Sequence, residues 1–315
     1  MISLRQHAIS LAAVFLALAL GLFLGSGFVG DRMNSLTGTS RDRIGDLERE
    51  RDGLNAQLNA ANSFGAAVGP RLIAGQLRGQ QVLVVTTPNA ADRDVTAVKE
   101  AVSGAGGRFT GQIGLTDRLV RDGDAERLRT IVDQTIPPGT TLRAELTDSG
   151  ARAGDLLGAL MLTRDGGRPV AAGDRSTGLQ ALRDGGFISY ADNTLTPADL
   201  VVVVTGDALP ENAGAQGPAT AQLAAALAAR GQGGVLAGRT GSATGGSPIA
   251  VVRSDPSLRN AVSTVDNVDQ QTGRITTILA LNREGTGASG AYGTGPGATS
   301  ITVEPTPARP GAAAG

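Results

Sequence analysis

"QVLVVTTPNAADRDVTAVKEAVSGAGGRFTGQIGL", residues 81–115, decides the fold. Residues 81–87 form an unbroken apolar run rich in β-branched side chains, the pattern of a strand buried on both faces. Over 92–107 the period changes. Asp92 reads as a cap, Val95, Val98, Ala101 and Val102 fall on one helical face, and glycines end the helix. "RFTGQIGL" then reads as a second strand. Strand, helix and strand in this order predict a parallel unit.

The same alternation continues outward. "GDAERLRTIVDQTI" predicts a helix with Leu128, Ile131 and Val132 inside, stopped by Pro137-Pro138. Helices are expected over 148–162 and 174–186, and "DLVVVVTG" (199–206) is the strongest strand signal in the chain. "GPATAQLAAALAARG" (217–231) predicts an alanine-rich helix. "GGVLAGR", "PIAVVR" and "RITTILAL" (274–281) read as further strands, with a short helix in "PSLRNAVSTV" between the last two. "GTGASGAYGTGPGATS" reads as loop, "ITVEP" as a last strand and "TPARPGAAAG" as a disordered end. The fold class is α/β, a sheet covered by helices on both faces. Gly139–Arg175 alternatively forms an inserted helical subdomain between two halves.

Before the body stands "SLAAVFLALALGLFLGSGFVGDR" (10–32). From Ala8 to Gly30 there are 23 residues without a charge, about 34 Å of helix against a hydrocarbon core of roughly 30 Å. The apolar residues go all round, as lipid requires. A cleaved signal is the competing reading, but its apolar region is shorter, and here Phe28 and Val29 resume the run after the small residues. A retained single-span anchor is therefore expected, with membrane lipid as a partner. Arg5 ahead of the helix places the N-terminus in the cytoplasm and the body outside. Gly21 and Gly25 have the spacing that lets two membrane helices approach, or reflect plain tolerance of glycine there.

Next, Ile44, Leu47, Arg51, Leu54, Leu58 and Ala61 recur at alternating intervals of three and four. This is a heptad seam with one polar interruption. It predicts a coiled-coil stalk and a homo-oligomer, a parallel dimer, or else a helix packed on its own domain. The expected organisation is an anchor over 1–32, a stalk over 33–69, an extracytoplasmic α/β domain over 70–303 and a disordered tail over 304–315.

Composition removes many functions. The chain has 315 residues, 41% apolar but only 3% aromatic, with no Trp. Its core is therefore aliphatic. A net charge of -1 gives no basic field for nucleic acid. Lys99 is the only lysine. There is no cysteine, and His7 is the only histidine. Imidazole catalysis in the body and both His-Asp and Cys-His triads are excluded. Soft copper(I) ligands are limited to Met1, His7, Met33 and Met161, which are scattered, so a dedicated chelating site is not expected. "TGDALPENAG" follows a strand as a ligand loop would, but lacks the glycine spacing of a phosphate cradle and a Walker lysine. Asp207, Glu211, Asp266 and Asp269 are expected as solvated loop carboxylates. No active site, cofactor or metal site is assigned. The short uniform strands and few aromatics argue against a membrane barrel.

Six phrases carry a resemblance: "MISLRQHAISLAAVFLALALGLFLGSGF", "AGDLLGALML", "VVVVTGDAL", "STVDNVD", "GRITTILAL" and "GAYGTGPGATSITV". Together they resemble the mycobacterial copper transport protein B (MctB) family, which includes the corynebacterial division-associated protein SteB. The resemblance covers Met1 to Val303 and implies a cell-envelope protein of copper efflux, with copper ions as the transported species and an outer-membrane channel. The SteB branch implies instead a division scaffold working with a membrane partner, SteA. A nucleotide- or sugar-binding receptor is a third class. No catalytic residue is carried over from the family.

Overall fold

In a computed structural model, which describes residues 28–164 and 167–303, the chain divides between Ala61 and Asn62 into two compact units. Helix α1 (Phe28–Ile73) runs through that point. In the first unit its described side chains, from Arg43 on, are almost all exposed. No helix among the described residues is long and apolar enough to cross a membrane. Most of the expected anchor, including Gly21 and Gly25, and the expected tail lie outside the described residues.

The second unit is built on a seven-stranded sheet: β1 (Gln81–Thr86), β2 (Arg108–Leu115), β3 (Ile188–Ser189), β4 (Leu200–Val204), β5 (Gly233–Ala237), β6 (Ser263–Val265) and β7 (Ala291–Tyr292). Their spatial order is β3-β2-β1-β4-β5-β6-β7. Only β3 runs antiparallel. Val82, Leu83, Val84 and Val85 of β1 and all of β4 are buried, as central parallel strands must be.

The helices are α2 (Asp92–Gly104), α3 (Asp117–Val120), α4 (Ala125–Gln134), α5 (Ser149–Met161), α6 (Ala172–Asp184), α7 (Gln216–Ala228), α8 (Pro248–Ser254), α9 (Pro256–Arg259) and α10 (Gln271–Glu284). They separate two cores. Helices α3 to α9 share one aliphatic cluster, over the face that carries Leu83, Val85, Val201 and Val203. α2, α10, Ile73 at the end of α1 and Leu77 cover the opposite face, over Val82, Val84 and Val202. The 149–161 helix inside the segment weighed as a separate subdomain contributes Leu156, Leu157, Leu160 and Met161 to the first core, so it belongs to the body.

That packing depends on glycine. Gly150, Gly154 and Gly158 form one stripe on α5, facing α7 and the residues just after it. A Cβ on Gly154 would fall 2.9 Å from the Leu223 Cα, and one on Gly158 would fall 2.7 Å from the Arg230 Cβ. Spacing by four puts small residues on one helical face and lets two backbones touch.

Several sequence expectations are corrected. "PIAVVR" and "RITTILAL" are helices α8 and α10, not strands. Their β-branched residues suggest strand, but burial decides: Ile275, Thr276, Thr277, Ile278, Leu279, Ala280 and Leu281 are all buried. Pro248 at the first turn of α8 is itself a helix-start signal. "PSLRNAVSTV" holds a single helical turn, α9, followed by β6. The last strand is Ala291–Tyr292, inside the expected loop, while Ile301 of "ITVEP" is exposed. Ala91, not Asp92, caps α2. Helix α1 continues through Pro70 to Ile73.

One connection is unusual. β4–α7–β5 and β6–α10–β7 each step the same way across the sheet, yet α7 and α10 cover opposite faces. The two crossovers therefore have opposite hands, although one hand is strongly preferred for such units.

Glu284 closes α10 in the interior, where Ser263 Oγ donates to its Oε1 at 2.6 Å. Burial pushes this carboxyl above the usual range, against the opposing pull of the Ser263 hydroxyl. An unfolded Glu titrates near about 4.3. The buried proton therefore contributes stability that is fully present below that value and lost as pH rises through the higher folded value. Glu284→Gln is expected to abolish this loss. In urea unfolding from about pH 4 to about pH 8, the variant should gain on the wild type as pH rises. Parallel curves would refute it.

Candidate functional site

In a doubly wound sheet, ligands bind at the carboxyl ends of the strands where the winding reverses. Here the chain passes from β1 to β2 and β3 at one edge, then returns to β4 on the other side of β1. The crevice therefore lies between the loops after β1 and β4. "TGDALPENAG" is in it, as the sequence suggests, but the protein fills it with its own groups. Thr87 Oγ1 donates to Asn89 Oδ1 at 2.6 Å and lies 3.2 Å from Thr205 Oγ1. Gly206 sits so close to Asn89 that a Cβ would fall 2.9 Å from the Asn89 carbonyl carbon. Ser247 Oγ accepts from the Leu209 N–H at 2.8 Å, fixing the rest of the loop.

Arg239 spans the crevice mouth. Its Nε is 3.0 Å from Asp94 Oδ2 and its Nη1 is 2.8 Å from Asp207 Oδ2. Arg274 reaches Asp94 from the other side at 3.7 Å. Asp94 is fully buried. Burial pushes its carboxyl up, while Arg239 and Arg93 pull it down and Asp269 opposes them. Asp92 and Asp94 place carboxylates in the first turn of α2, where a phosphate would otherwise meet the helix N-terminus. The arrangement cross-braces loops and disfavours an anionic ligand.

The loop carboxylates do not assemble into a site. Asp207 binds Arg239, Asp269 accepts from Thr240 at 2.8 Å, and Glu211 is exposed. Asp266 is not solvated as expected. It is buried against Arg253, with Nη1 to Oδ2 at 2.6 Å, and accepts from the backbone of Thr294 at 2.9 Å and Gly295 at 3.0 Å. Arg253 also donates to Tyr292 O at 2.7 Å and Pro296 O at 2.8 Å. "STVDNVD" and "GAYGTGPGATS" are thus parts of one latch that holds β7. A second brace joins Asp155 to Arg143 at 2.8 Å and to Arg230 at 2.6 Å. Burial opposes charge on Asp155, but hydrogen bonds from the two arginines win and hold its carboxyl below the usual range.

Among the described residues no three His, Cys, Asp or Glu side chains gather as a metal cluster. Met161 is buried in the core. The seam residues remain on the surface of α1: Ile44 is 56%, Leu47 63%, Leu54 58% and Leu58 43% exposed. Arg51 pairs with its neighbour Asp52 at 2.8 Å, and Ala61 is exposed. The braces escape sequence reading because tertiary packing sets each pairing, and Asp94 meets Arg239 and Arg274 from far along the chain. Only the glycine spacing in α5 was open to sequence inspection.

The fold and site define a doubly wound α/β body with a self-filled crevice and a long helix bearing exposed apolar residues. The chain belongs to the family described as "Copper transport outer membrane protein, MctB", which matches residues 1–303. It is 47% identical over 312 residues to the "Copper transporter MctB" of Mycobacterium tuberculosis (strain ATCC 25618 / H37Rv), covering 96% of this chain and 99% of that one. The protein of the same name from Mycobacterium leprae (strain TN) is 47% identical over 315 residues with the same coverage.

Proposed function

We propose that this chain serves copper efflux in the cell envelope, as a membrane-anchored dimer whose body is extracytoplasmic. The observation that carries the reading is full-length similarity, at 47% identity, to proteins named copper transporters. Copper is the cargo, and the body has no enzymatic role. The uncharged run Ala8–Gly30 supplies the anchor in lipid, with Gly21 and Gly25 as the close-approach pair. Ile44, Leu47, Arg51, Leu54, Leu58 and Ala61 supply the seam of a parallel dimer. An outer-membrane channel on this plan needs several chains, because each contributes one span.

The test is copper content in a deletion strain. The full chain is expected to restore low copper, and a version lacking residues 1–30 is expected to fail. Rescue by the truncated version would sink the anchored reading. The exposed seam and braced body favour a second reading, a division scaffold with a SteA-like membrane partner and no transport. Unchanged copper with chained, unseparated cells would select it.

The dimer has its own test. Leu54→Asp puts two carboxylates at the centre of an apolar seam. In sedimentation of the full chain in detergent, the wild type is expected to be a dimer and the variant a monomer. A monomeric wild type would refute the seam.

A further inference from the structure

The sheet is not covered equally along its width. β2 and β3 give Ile113, Leu115 and Ile188 to one core but no side chain to the core on the other face. On that face α2 covers β1, and the outer strands lie open beside it. The result is a groove of about 480 Å³, within the range of small-ligand pockets.

The lining of this groove has a definite chemistry. Gly111, Gln112 and Gly114 form its floor, with Ser189 beside them. Gly111 does not accept a side chain, with φ +132° and the Thr194 carbonyl oxygen 2.9 Å from its would-be Cβ, and a Cβ on Gly114 would make Ser189 Oγ, 2.6 Å away, turn aside. The floor therefore stays flat. Phe109, 36% exposed, and Tyr190 are aromatic walls in a chain with only six Phe and two Tyr. Arg183 stacks 4.6 Å from the Tyr190 ring centre, behind it, and is held by Asp192. The ammonium of Lys99 stands 5.2 Å from the Phe109 ring centre and has no ion-pair partner among the described residues. The Gln112 amide and the Tyr190 hydroxyl likewise have no hydrogen-bond partner there.

We infer that this groove binds a sugar acid, a pyranose carrying one carboxylate. A flat floor between two aromatic rings accepts the C–H faces of a sugar ring. Gln112, Ser189 and Tyr190 offer donors and acceptors for its hydroxyls. Lys99 supplies one uncompensated cation for one carboxylate, as a charge-assisted hydrogen bond. An extended peptide fits less well, because the one unpaired charge of the groove is a single ammonium and its walls are two aromatic rings, which suit one charged ring better than a run of backbone amides.

The inference goes beyond the efflux reading, and its test does not measure copper, so either can fail alone. The full chain in a zwitterionic, sugar-free detergent is titrated with galacturonate, trigalacturonate, neutral maltotriose and pentaglutamate, read by saturation-transfer NMR. Trigalacturonate is expected to bind about tenfold more tightly than maltotriose. Lys99→Gln should bring it down to the maltotriose level without changing maltotriose, and Phe109→Ala should weaken both. Both side chains reach the surface, so retention of the wild-type unfolding midpoint checks that each variant is folded. Equal binding of galacturonate and trigalacturonate assigns a free sugar acid, and preference for the trimer assigns a glycan chain. Absence of saccharide binding, trigalacturonate binding indifferent to Lys99, or Lys99-dependent binding of pentaglutamate alone would overturn the proposal.

Discussion

Valine in place of Gly154 is expected to lower the thermal midpoint of the body by about 10 °C or more, or to prevent its folding. The added Cβ meets backbone, with the Leu223 Cα at 2.9 Å and its carbonyl carbon at 3.0 Å, so no side chain can swing aside. Relief requires α5 and α7 to separate. Leu156, Leu157 and Leu160 on α5 and Leu223 and Leu227 on α7 all sit in the core that this pair completes. Overpacking typically costs about 1–3 kcal/mol. A clash with rigid backbone lies at or above the top of that range, and in a domain of this size each kcal/mol shifts the midpoint by about 2–4 °C. Gly173, near the start of α6, has open space around its would-be Cβ and is the control. A Gly154→Val protein melting with the wild type would show that these helices do not pack as described.

Arg253→Leu is expected to cost about 3–5 kcal/mol, because it strands a buried carboxylate. The Arg253 side chain is 3% exposed and that of Asp266 is 1%, so water cannot replace the lost partner. Arg253 also satisfies the carbonyls of Tyr292 and Pro296. The variant should therefore open β7 and its loop to proteolysis before the rest of the body. Pairing Arg253→Leu with Asp266→Leu is expected to lose less stability than Arg253→Leu alone, because the stranded charge is gone. The comparison is made by urea unfolding and limited proteolysis. A loss below about 1 kcal/mol, the scale of a surface pair, would show that the latch is not buried.

The legible part of the fold was its centre. β1 and β4 announce themselves because a strand buried on two faces has to be apolar along its length, and β2 follows from its place after the first helix. β5 was legible too, in "GGVLAGR", but the edge beyond it, from β6 to β7, was harder. Thr276, Thr277 and Ile278 read as strand by composition, yet they lie in a helix buried all round, where the amphipathic period that marks a helix is erased. β7 has two residues, too few for any pattern, and it is held in place by Arg253 from elsewhere in the chain. The candidate site was legible only in outline. "TGDALPENAG" does lie at the ligand edge, but what fills that edge is Arg239 with Asp94, a pairing set by tertiary geometry. The groove left one sequence trace, the singular Lys99, whose neighbours Phe109 and Tyr190 come together only on folding.

Lys99 has a practical consequence for anyone handling the protein. Apart from a chain-terminal amine, it is the only primary amine in the molecule. Among side chains, amine-reactive dyes, crosslinkers and sensor-chip couplings can attack only Lys99, in the groove it lines. A binding assay on protein immobilised through amines would plug that groove before any measurement began. A single fluorophore placed there would report its occupancy.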